Sequence, residues 1–249
     1  MAAGGESVMQ RTFLMIEYMS RRGRKVSLQE IANGLSLPAA AVRRILGSLT
    51  DMGYVAQDEN KQYYLTYKMY KVAGKSINRD GFVRKLIPYM NYFSLRYQGE
   101  VGLTVFDNGA IVHILNVGQN NSFSGNSLPR PGQLFPAYCS AAGKVFLAQM
   151  EDGALKRWLD EGVFLPHTAS TIIDKGQLHQ AIQETRRQGY GVSARELYDD
   201  VYAAAFPIHD KSGGVIGTFN FRMLSETYQE RMQNGFADKV QRDLKNFGL

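Results

Sequence analysis

Residues Leu35 to Val55 read LSLPAAAVRRILGSLTDMGYV, and their spacing predicts a short amphipathic helix that closes at Gly53. Pro38 is expected at its start, because the amide hydrogen that proline lacks would have no partner in the first turn. Aliphatic residues at positions i, i+3, i+4 and i+7 predict the buried stripe, which consists of Val42, Ile45, Leu46 and Leu49. The opposite face is small at one end and cationic in the middle, with Ala40, Arg43, Arg44 and Gly47.

The elements around this helix follow the order of a winged helix-turn-helix. A first helix is predicted from about Val8 to Arg21, and the capping-box pair Ser27 and Glu30 predicts the start of a second, which Gly34 is expected to break. Downstream, the β-prone stretch YVAQDENKQYYLTY surrounds a polar turn at Asp58 to Lys61 and predicts a hairpin. In this motif the third helix enters the major groove of DNA and the hairpin can meet the adjacent backbone.

Positive charge is concentrated in the first third of the chain. The 249 residues carry a net charge of +6. Residues 1 to 80 hold 12 Lys and Arg against 7 Asp and Glu, a net of +5, while residues 81 to 249 hold 17 against 16, a net of +1. This distribution favours an anionic partner for the first module, either nucleic acid or a membrane surface. Charge alone does not distinguish such a partner from a scatter of solvated lysines.

Other features of the composition narrow the class of protein. We find no signal-peptide pattern and no apolar run long enough to cross a bilayer, so a cytoplasmic protein is expected. The single cysteine, Cys139, excludes an internal disulfide, and four scattered histidines argue against a structural zinc site. No nucleophile elbow, phosphate loop or metal-ligand spacing is present, so neither a catalytic residue nor a cofactor is predicted.

The rest of the chain predicts an α+β domain. Helical periodicity from Met69 to Tyr97, broken at Asn78 to Gly81, indicates a linker helix followed by the first helix of a second domain. Tight turns join consecutive strands and therefore predict an antiparallel sheet, with strands near Val101–Phe106, Ile111–Val117, Tyr202–His209 and Val215–Arg222. Helices are expected at Ser140–Gln149, at Asp152–Leu159, from a cap at Asp174 to Gly189, and once at the C-terminus. The expected domains are residues 1–68, a linker helix at 69–81, and 82–249.

Three segments together resemble the IclR-type family of bacterial transcriptional regulators. They are LQEIANGLSLPAAAVRRILGSLTDMGYV, FPAYCSAAGKVFLAQM and GYGVSARELYDDVYAAAFPIHDKSGGVIGTFNFR, and the match runs in order along almost the whole chain. The resemblance implies a winged helix-turn-helix DNA-binding domain, a linker helix used in dimerisation, and an effector-binding domain of GAF-like fold. It also implies a homodimer or homotetramer.

The expected DNA contacts lie mainly on the third helix. Arg43 and Arg44 can pair with guanine or hold phosphate oxygens, although a solvated face or a pair with Asp51 is the alternative. Family members commonly carry lysine and small hydroxyl residues at the positions of Ala39 and Ala40, which here can only offer methyl groups to thymine. Further residues are expected at phosphates, or else serve as caps and surface polarity: Ser27, Gln29, Ser48 and Lys61.

The resemblance also implies an effector site in the second domain. Ser140 precedes a helix of small residues whose free amides, around Ala141 and Ala142, could hold a carboxylate, unless these residues simply pack close to the sheet. The family's ligand positions carry over to Ser193, Ala203 and Asn220. An aromatic wall could come from two of the four residues Phe135, Tyr138, Phe219 and Phe221, although residues of this kind more often belong to the core. Cys139 is expected to be buried or to line the pocket.

The leading hypothesis is therefore a ligand-responsive transcription factor, more often a repressor than an activator. It would bind an inverted-repeat operator in double-stranded DNA as an oligomer, and a small organic acid, aromatic or aliphatic, would modulate that binding. Two alternatives stay open at this point. The second domain could only oligomerise, or it could be a small-acid enzyme that the basic module localises.

Overall fold

The computed structural model describes residues 7–77, 81–107, 110–118 and 129–249, without the side chains of residues 76 and 77. The chain divides into two compact units, Met1–Arg84 and Lys85–Leu249. Three parts of the prediction fall outside the described residues: residues 78–80 of the predicted break, the turn around residues 108 and 109, and most of the loop between residues 118 and 133.

The first unit has the predicted winged helix-turn-helix order. Its elements are α1 (Val8–Arg22), α2 (Leu28–Leu35), α3 (Ala39–Asp51), β1 (Val55–Gln57), β2 (Tyr63–Leu65) and α4 (Lys68–Ile77). β1 and β2 pair antiparallel, and Val26 forms a bridge with Tyr63 that extends this small sheet towards α2. The predicted stripe of α3 is confirmed, since Val42, Ile45, Leu46 and Leu49 are all buried in the core of this unit.

Two details at α2 differ from the prediction. The Ser27 hydroxyl accepts from the Glu30 N–H, as expected of a cap, but the Glu30 carboxylate accepts from the Arg24 guanidinium rather than closing a capping box. Gly34 does not break the helix, which continues to Leu35 and ends where Ser36 adopts a left-handed φ of 53°. Gly34 instead allows close packing, because a Cβ there would lie 2.4 Å from the ring of Tyr18.

The second unit is built on a six-stranded antiparallel sheet. In chain order its strands are β3 (Val101–Asp107), β4 (Ala110–Val117), β5 (Leu134–Phe135), β6 (Gly191–Ala194), β7 (Tyr202–His209) and β8 (Val215–Met223). The order across the sheet is β5-β4-β3-β8-β7-β6. Its helices are α5 (Phe82–Arg96, which begins just before the division), α6 (Ala141–Leu147), α7 (Asp152–Glu161), α8 (Lys175–Gln188), α9 (Ser225–Gln233) and α10 (Phe236–Phe247).

Three elements of this unit depart from the sequence-based expectation. β5 and β6 were not predicted, because two and four residues are too short to show a strand period. The predicted C-terminal amphipathic helix is α10, but α9, which ends shortly before Gly235 with its φ of 70°, was not predicted. By contrast, Asp174 caps α8 and Gly189 ends it in the left-handed conformation, both as predicted.

The two faces of the sheet carry different side chains. On one face Phe93 of α5 packs against Phe219 and Phe221 of β8, and Phe236 of α10 packs against Phe221. On the other face α6 packs on the sheet through small side chains such as Ala141, next to Ala205 of β7. Phe219 and Phe221 therefore belong to the aromatic core and leave the α6 face free to form a cavity.

No helix within the described ranges is both long enough and apolar enough to span a membrane.

Candidate DNA-binding surface and effector cavity

The outer face of α3 is exposed and unpaired. Ala39, Ala40, Arg43 and Arg44 are all exposed, and in the described part of the chain neither arginine has a carboxylate partner. The pair with Asp51 that we considered is absent from these contacts. Ser48, one turn further on, donates from its hydroxyl to the Arg44 carbonyl at 3.3 Å. The helix therefore presents two guanidinium groups beside a smooth alanine surface.

The predicted phosphate-contacting residues are distributed around this helix. Ser27 caps α2, and Gln29 on the same helix donates from Nε2 to Asn33 Oδ1 at 2.9 Å. Lys61 is exposed in the hairpin turn, where it takes a φ of 57°. Asp58 organises that turn: its carboxylate accepts from the Gln62 N–H and from Lys25, and these bonds lower the pKa of the Asp58 carboxyl.

The second unit contains an open cavity of about 60 Å³ on the α6 face of the sheet. This is several times the 10–15 Å³ or so that one water molecule needs, so the cavity suits a small ligand. Its lining residues are Gly102, Thr104, His113, Asn116, Pro129, Phe135, Ser140, Ala141, Ala142, Ser193, Leu197, Tyr198, Val201, Ala203, Asn220 and Arg222. Seven of the nine residues predicted for an effector site are among them.

The other two predicted residues, Tyr138 and Cys139, do not line the cavity. The Tyr138 hydroxyl donates to the Leu165 carbonyl at 2.7 Å, and its ring packs against Phe164. Cys139 is fully buried, and its carbonyl accepts from the Ser193 hydroxyl at 2.8 Å. Burial, followed by the nearby Glu196 carboxylate, raises the pKa of the Cys139 thiol to about 12, so this thiol stays protonated and unreactive.

Several predicted polar groups already have partners. The Ser193 hydroxyl donates to the Cys139 carbonyl, and the Ser140 hydroxyl donates to the Pro136 carbonyl at 2.8 Å. Asn220 Nδ2 contacts Thr104 Oγ1 at 3.2 Å and the Thr218 carbonyl at 3.1 Å. These bonds fix the shape of the cavity, but they leave Ser140, Ser193 and Asn220 few hydrogen atoms with which to bind a ligand.

Two polar residues that the sequence analysis missed, His113 and Asn116, have unpaired atoms at this site. Residues three apart in a regular strand face opposite sides of the sheet. In β4, however, His113 is opposite Thr104 and Asn116 is opposite Gly102, because a bulge shifts the register between Leu103 and Thr104 of β3. The bulge therefore brings both side chains to the cavity, although the sequence alone offers no signal for it.

The charge state of His113 follows from its burial. Its side chain is 1% exposed, and burial, with a smaller contribution from Arg222, lowers its pKa to about 4. The imidazole is therefore neutral at pH 7. His113 Nε2 and Asn116 Oδ1 are both buried without a hydrogen-bond partner in the described residues.

The charged groups near the cavity form buried ion pairs. Arg222 lines the cavity and pairs with Glu100, and both side chains are less than a tenth exposed. Lys144 of α6 pairs with Glu196 at 2.5 Å. No described cluster of three or more His, Cys, Asp or Glu residues could hold a metal ion. The arrangement can bind and orient a small polar molecule, but it presents no activated nucleophile.

Comparison with known proteins identifies the class of both units. Residues 8–59 match the IclR helix-turn-helix domain, and residues 74–244 match the family described as bacterial transcriptional regulator IclR C-terminal. The chain is similar to the Pca regulon regulatory protein of Pseudomonas putida, with 28% identity over 210 residues, which are 84% of this chain and 72% of that protein. It is also similar to the transcriptional repressor AllR of Salmonella typhimurium, with 24% identity over 221 residues, 88% and 80% of the two chains.

A solved structure shares the fold over nearly the full length. The IclR homolog of Microbacterium hydrocarbonoxydans, crystallised with 4-hydroxybenzoate, aligns with a TM-score of 0.76 at 16% identity and covers 96% of this chain and 100% of that chain. The family and its relatives are regulators of transcription and not enzymes. Since the two family matches together cover most of the sequence in the expected order, this chain belongs to the IclR family of DNA-binding bacterial transcriptional regulators.

Proposed function

We propose that α3 reads an inverted-repeat operator in double-stranded DNA. The observation that carries this proposal is the exposed α3 face, on which Arg43 and Arg44 have no partner among the described residues. An arginine can pair bidentately with guanine, and the methyl groups of Ala39 and Ala40 can contact thymine. The phosphate backbone is then met by Ser27, Gln29, Ser48 and Lys61.

Selection from a random pool of duplexes tests operator binding directly. The purified protein should enrich an inverted repeat, and its affinity should fall steeply as salt is raised, because phosphate contacts release counterions. Replacing both Arg43 and Arg44 by alanine should abolish enrichment. Arg187→Ala, on the exposed surface of α8, is the matched control. Unchanged enrichment by the double variant would exclude α3 as the reading helix.

We propose that the protein acts as a homodimer or homotetramer, as an inverted repeat requires. Support comes from α4, where Tyr70 and Val72 are 74% and 52% exposed. Exposed apolar side chains on one helix are suited to a subunit contact. In this organisation residues 1–68 bind DNA, 69–81 form the linker, and 82–249 bind the effector and contribute to assembly. Sedimentation of the intact chain should show a species larger than the monomer, and Tyr70→Glu should weaken it.

We propose that a small organic acid occupies the cavity of the second unit and changes operator affinity. Support comes from the cavity lining, in which polar groups lie among small and apolar side chains. Further support comes from the structural relative that was crystallised with 4-hydroxybenzoate. Phe135 and Leu197 can cover the hydrocarbon part of such an acid, while Ser140, Ala141, Ala142, Ser193, Ala203 and Asn220 shape the other end. An acid that stabilises the protein and releases the enriched operator would support the proposal.

We further propose repression in the cytoplasm as the working mode. One relative is named a transcriptional repressor, and this supports repression rather than activation. A reporter under the enriched operator should be silent when the protein is present and active when the acid is added. Activation of the reporter by the protein would contradict repression, but it would leave the proposed operator recognition unaffected.

A further inference from the structure

A cationic cleft with a volume of about 380 Å³ lies where the end of α5 meets the junction of α9 and α10. In the described part of the chain its lining includes three cationic side chains, Arg96, Arg231 and Lys239, and no carboxylate. Tyr97, which also lines the cleft, packs its ring against Phe221 on the aromatic side of the sheet. The sheet therefore separates this cleft from the effector cavity on the α6 face.

The carboxylate of Asp243 balances only one of the three cations. This buried side chain accepts from Arg96 Nε at 3.0 Å and from the Tyr97 hydroxyl at 2.9 Å. The Tyr92 hydroxyl is a third donor to it, at 3.3 Å. Asp243 is thus engaged with α5 and leaves the charges of Arg231 and Lys239 uncompensated.

Arg231 and Lys239 are positioned by backbone carbonyls. Arg231 Nη2 donates to the Gln98 carbonyl at 3.2 Å, and Lys239 Nζ donates to the Asn234 carbonyl at 2.8 Å. Neither cation forms an ion pair within the ranges that the structure describes. Because a guanidinium has five N–H groups and an ammonium has three, both side chains keep hydrogens with which to bind a ligand.

Arg231 is also partly removed from water. Burial lowers the pKa of its guanidinium, and the charge of Glu230 offsets only part of this effect. Burying a charge is costly unless a partner compensates it. An anion in the cleft would be that partner for Arg231 and for Lys239 together. Guanidinium and ammonium groups are the side chains with which proteins most often bind phosphoryl oxygens.

We infer that this cleft binds a phosphoryl dianion, carried either by a small phosphorylated molecule or by inorganic phosphate. Two uncompensated cations match the charge of about −2 that a phosphomonoester carries near pH 7. The volume of the cleft lies within the range of about 300–1,000 Å³ that is usual for small-molecule sites, so a phosphoryl group with a short organic part fits. The site is additional to the effector cavity and does not depend on what binds there.

Calorimetry on the intact protein tests the inference with glycerol 3-phosphate, inorganic phosphate, succinate and glycerol. At least one of the two phosphoryl compounds should bind saturably, with one site per chain, and more weakly as salt is raised. Glycerol should not bind, and succinate should bind about tenfold more weakly, because its two charges are not on one centre. Tighter binding of the ester would identify a phosphorylated molecule as the ligand, and tighter binding of phosphate would identify the ion itself. Equal binding of succinate, or no saturable binding of either phosphoryl compound, would overturn the inference.

Substitutions at the cleft locate the binding. Arg231→Gln and Lys239→Gln should each weaken the phosphoryl compound roughly tenfold, the loss expected of a hydrogen bond between charged groups. Arg242→Gln is the matched control, because Arg242 is exposed on α10 and does not line the cleft. Unchanged binding in the two cleft variants would place the anion elsewhere, for example on α3 or in the effector cavity, and would overturn the inference. Should one variant fail to fold, the other still decides.

Discussion

Lys144 of α6 and Glu196, 52 residues later, form an ion pair with an Nζ–Oε1 distance of 2.5 Å, and both side chains are at most 4% exposed. Lys144 also donates to the Val192 carbonyl at 2.9 Å. Glu196 lies between β6 and β7, in the segment from which Leu197 and Tyr198 reach the cavity. The pair therefore ties one wall of the cavity to the helix that covers the sheet.

Removing one partner of this pair should be much more costly than removing both. Lys144→Met leaves the Glu196 carboxylate buried without its cation and should lower the free energy of unfolding by roughly 3–5 kcal/mol. The double variant Lys144→Met with Glu196→Leu should be less destabilised than the sum of its single changes. Urea unfolding of the four proteins measures this coupling. Strictly additive effects would show that the two side chains do not depend on each other.

His113 should make the stability depend on pH. Its folded-state pKa of about 4 lies below the ordinary histidine pKa of 6.5, so the unfolded chain binds more protons between these two pH values. His113 therefore makes its full contribution to the free energy of unfolding above about pH 6.5. This contribution, about 3 kcal/mol in total, is lost as the pH falls towards 4. Urea unfolding between pH 7.5 and 4.5 should show a shallower dependence for His113→Gln than for the unaltered chain. Parallel curves would mean that His113 is not protected from protonation.

Replacing either of two glycines in the first unit by alanine should change the stability of the fold, but in opposite directions. Gly34→Ala would force a methyl group against the Tyr18 ring, and overpacking of this kind costs roughly 1–3 kcal/mol. Gly47→Ala in α3 meets nothing within 4 Å and should stabilise the fold by about 0.5–1 kcal/mol, because alanine is the better helix former. Thermal unfolding of both variants checks the pair. A stabilised Gly34→Ala would refute the close packing of α1 on α2.

A salt titration should distinguish contacts to bases from contacts to phosphates. Arg43→Lys keeps the charge but not the bidentate geometry, so it should weaken the preferred operator by at least fivefold and relax base preference with an unchanged salt slope. Lys61→Ala should instead weaken all sequences similarly and reduce the salt slope by about 0.9. Binding curves at four salt concentrations, on the operator and on a scrambled duplex, provide the measurement. Identical behaviour of both variants would assign Arg43 to phosphate alone.

How much the sequence revealed depended on how local each signal was. The α3 stripe of Val42 and Ile45 repeats over several turns, so its prediction was secure. The end of α2 was not predicted correctly. Gly34 is needed for close contact with Tyr18, 16 positions earlier, and Ser36 is the residue that takes the left-handed conformation at the end of the helix. Sequence spacing cannot show a contact of that kind.

The cavity was predicted in outline and missed in its chemistry. Ser193 and Asn220 both lie on its wall, but their hydrogens are donated to Cys139 and Thr104, which no local pattern indicates. His113 was passed over because its burial depends on contacts from other elements, such as the ring of Phe135 in β5. Both errors arise from tertiary contacts that override local residue chemistry.

The bulge in β4 also bears on how effector preference can change among related proteins. Ile114 is the extra residue, so a relative that lacks it and has a regular strand here would keep the flanking side chains opposite the same residues of β3. A relative of the same length without the bulge would instead turn the residue at position 116 to the aromatic side, and an apolar side chain would face the ligand. Alignments with relatives that lack the bulge therefore need a gap at Ile114 in order to compare residues on the same side of the sheet.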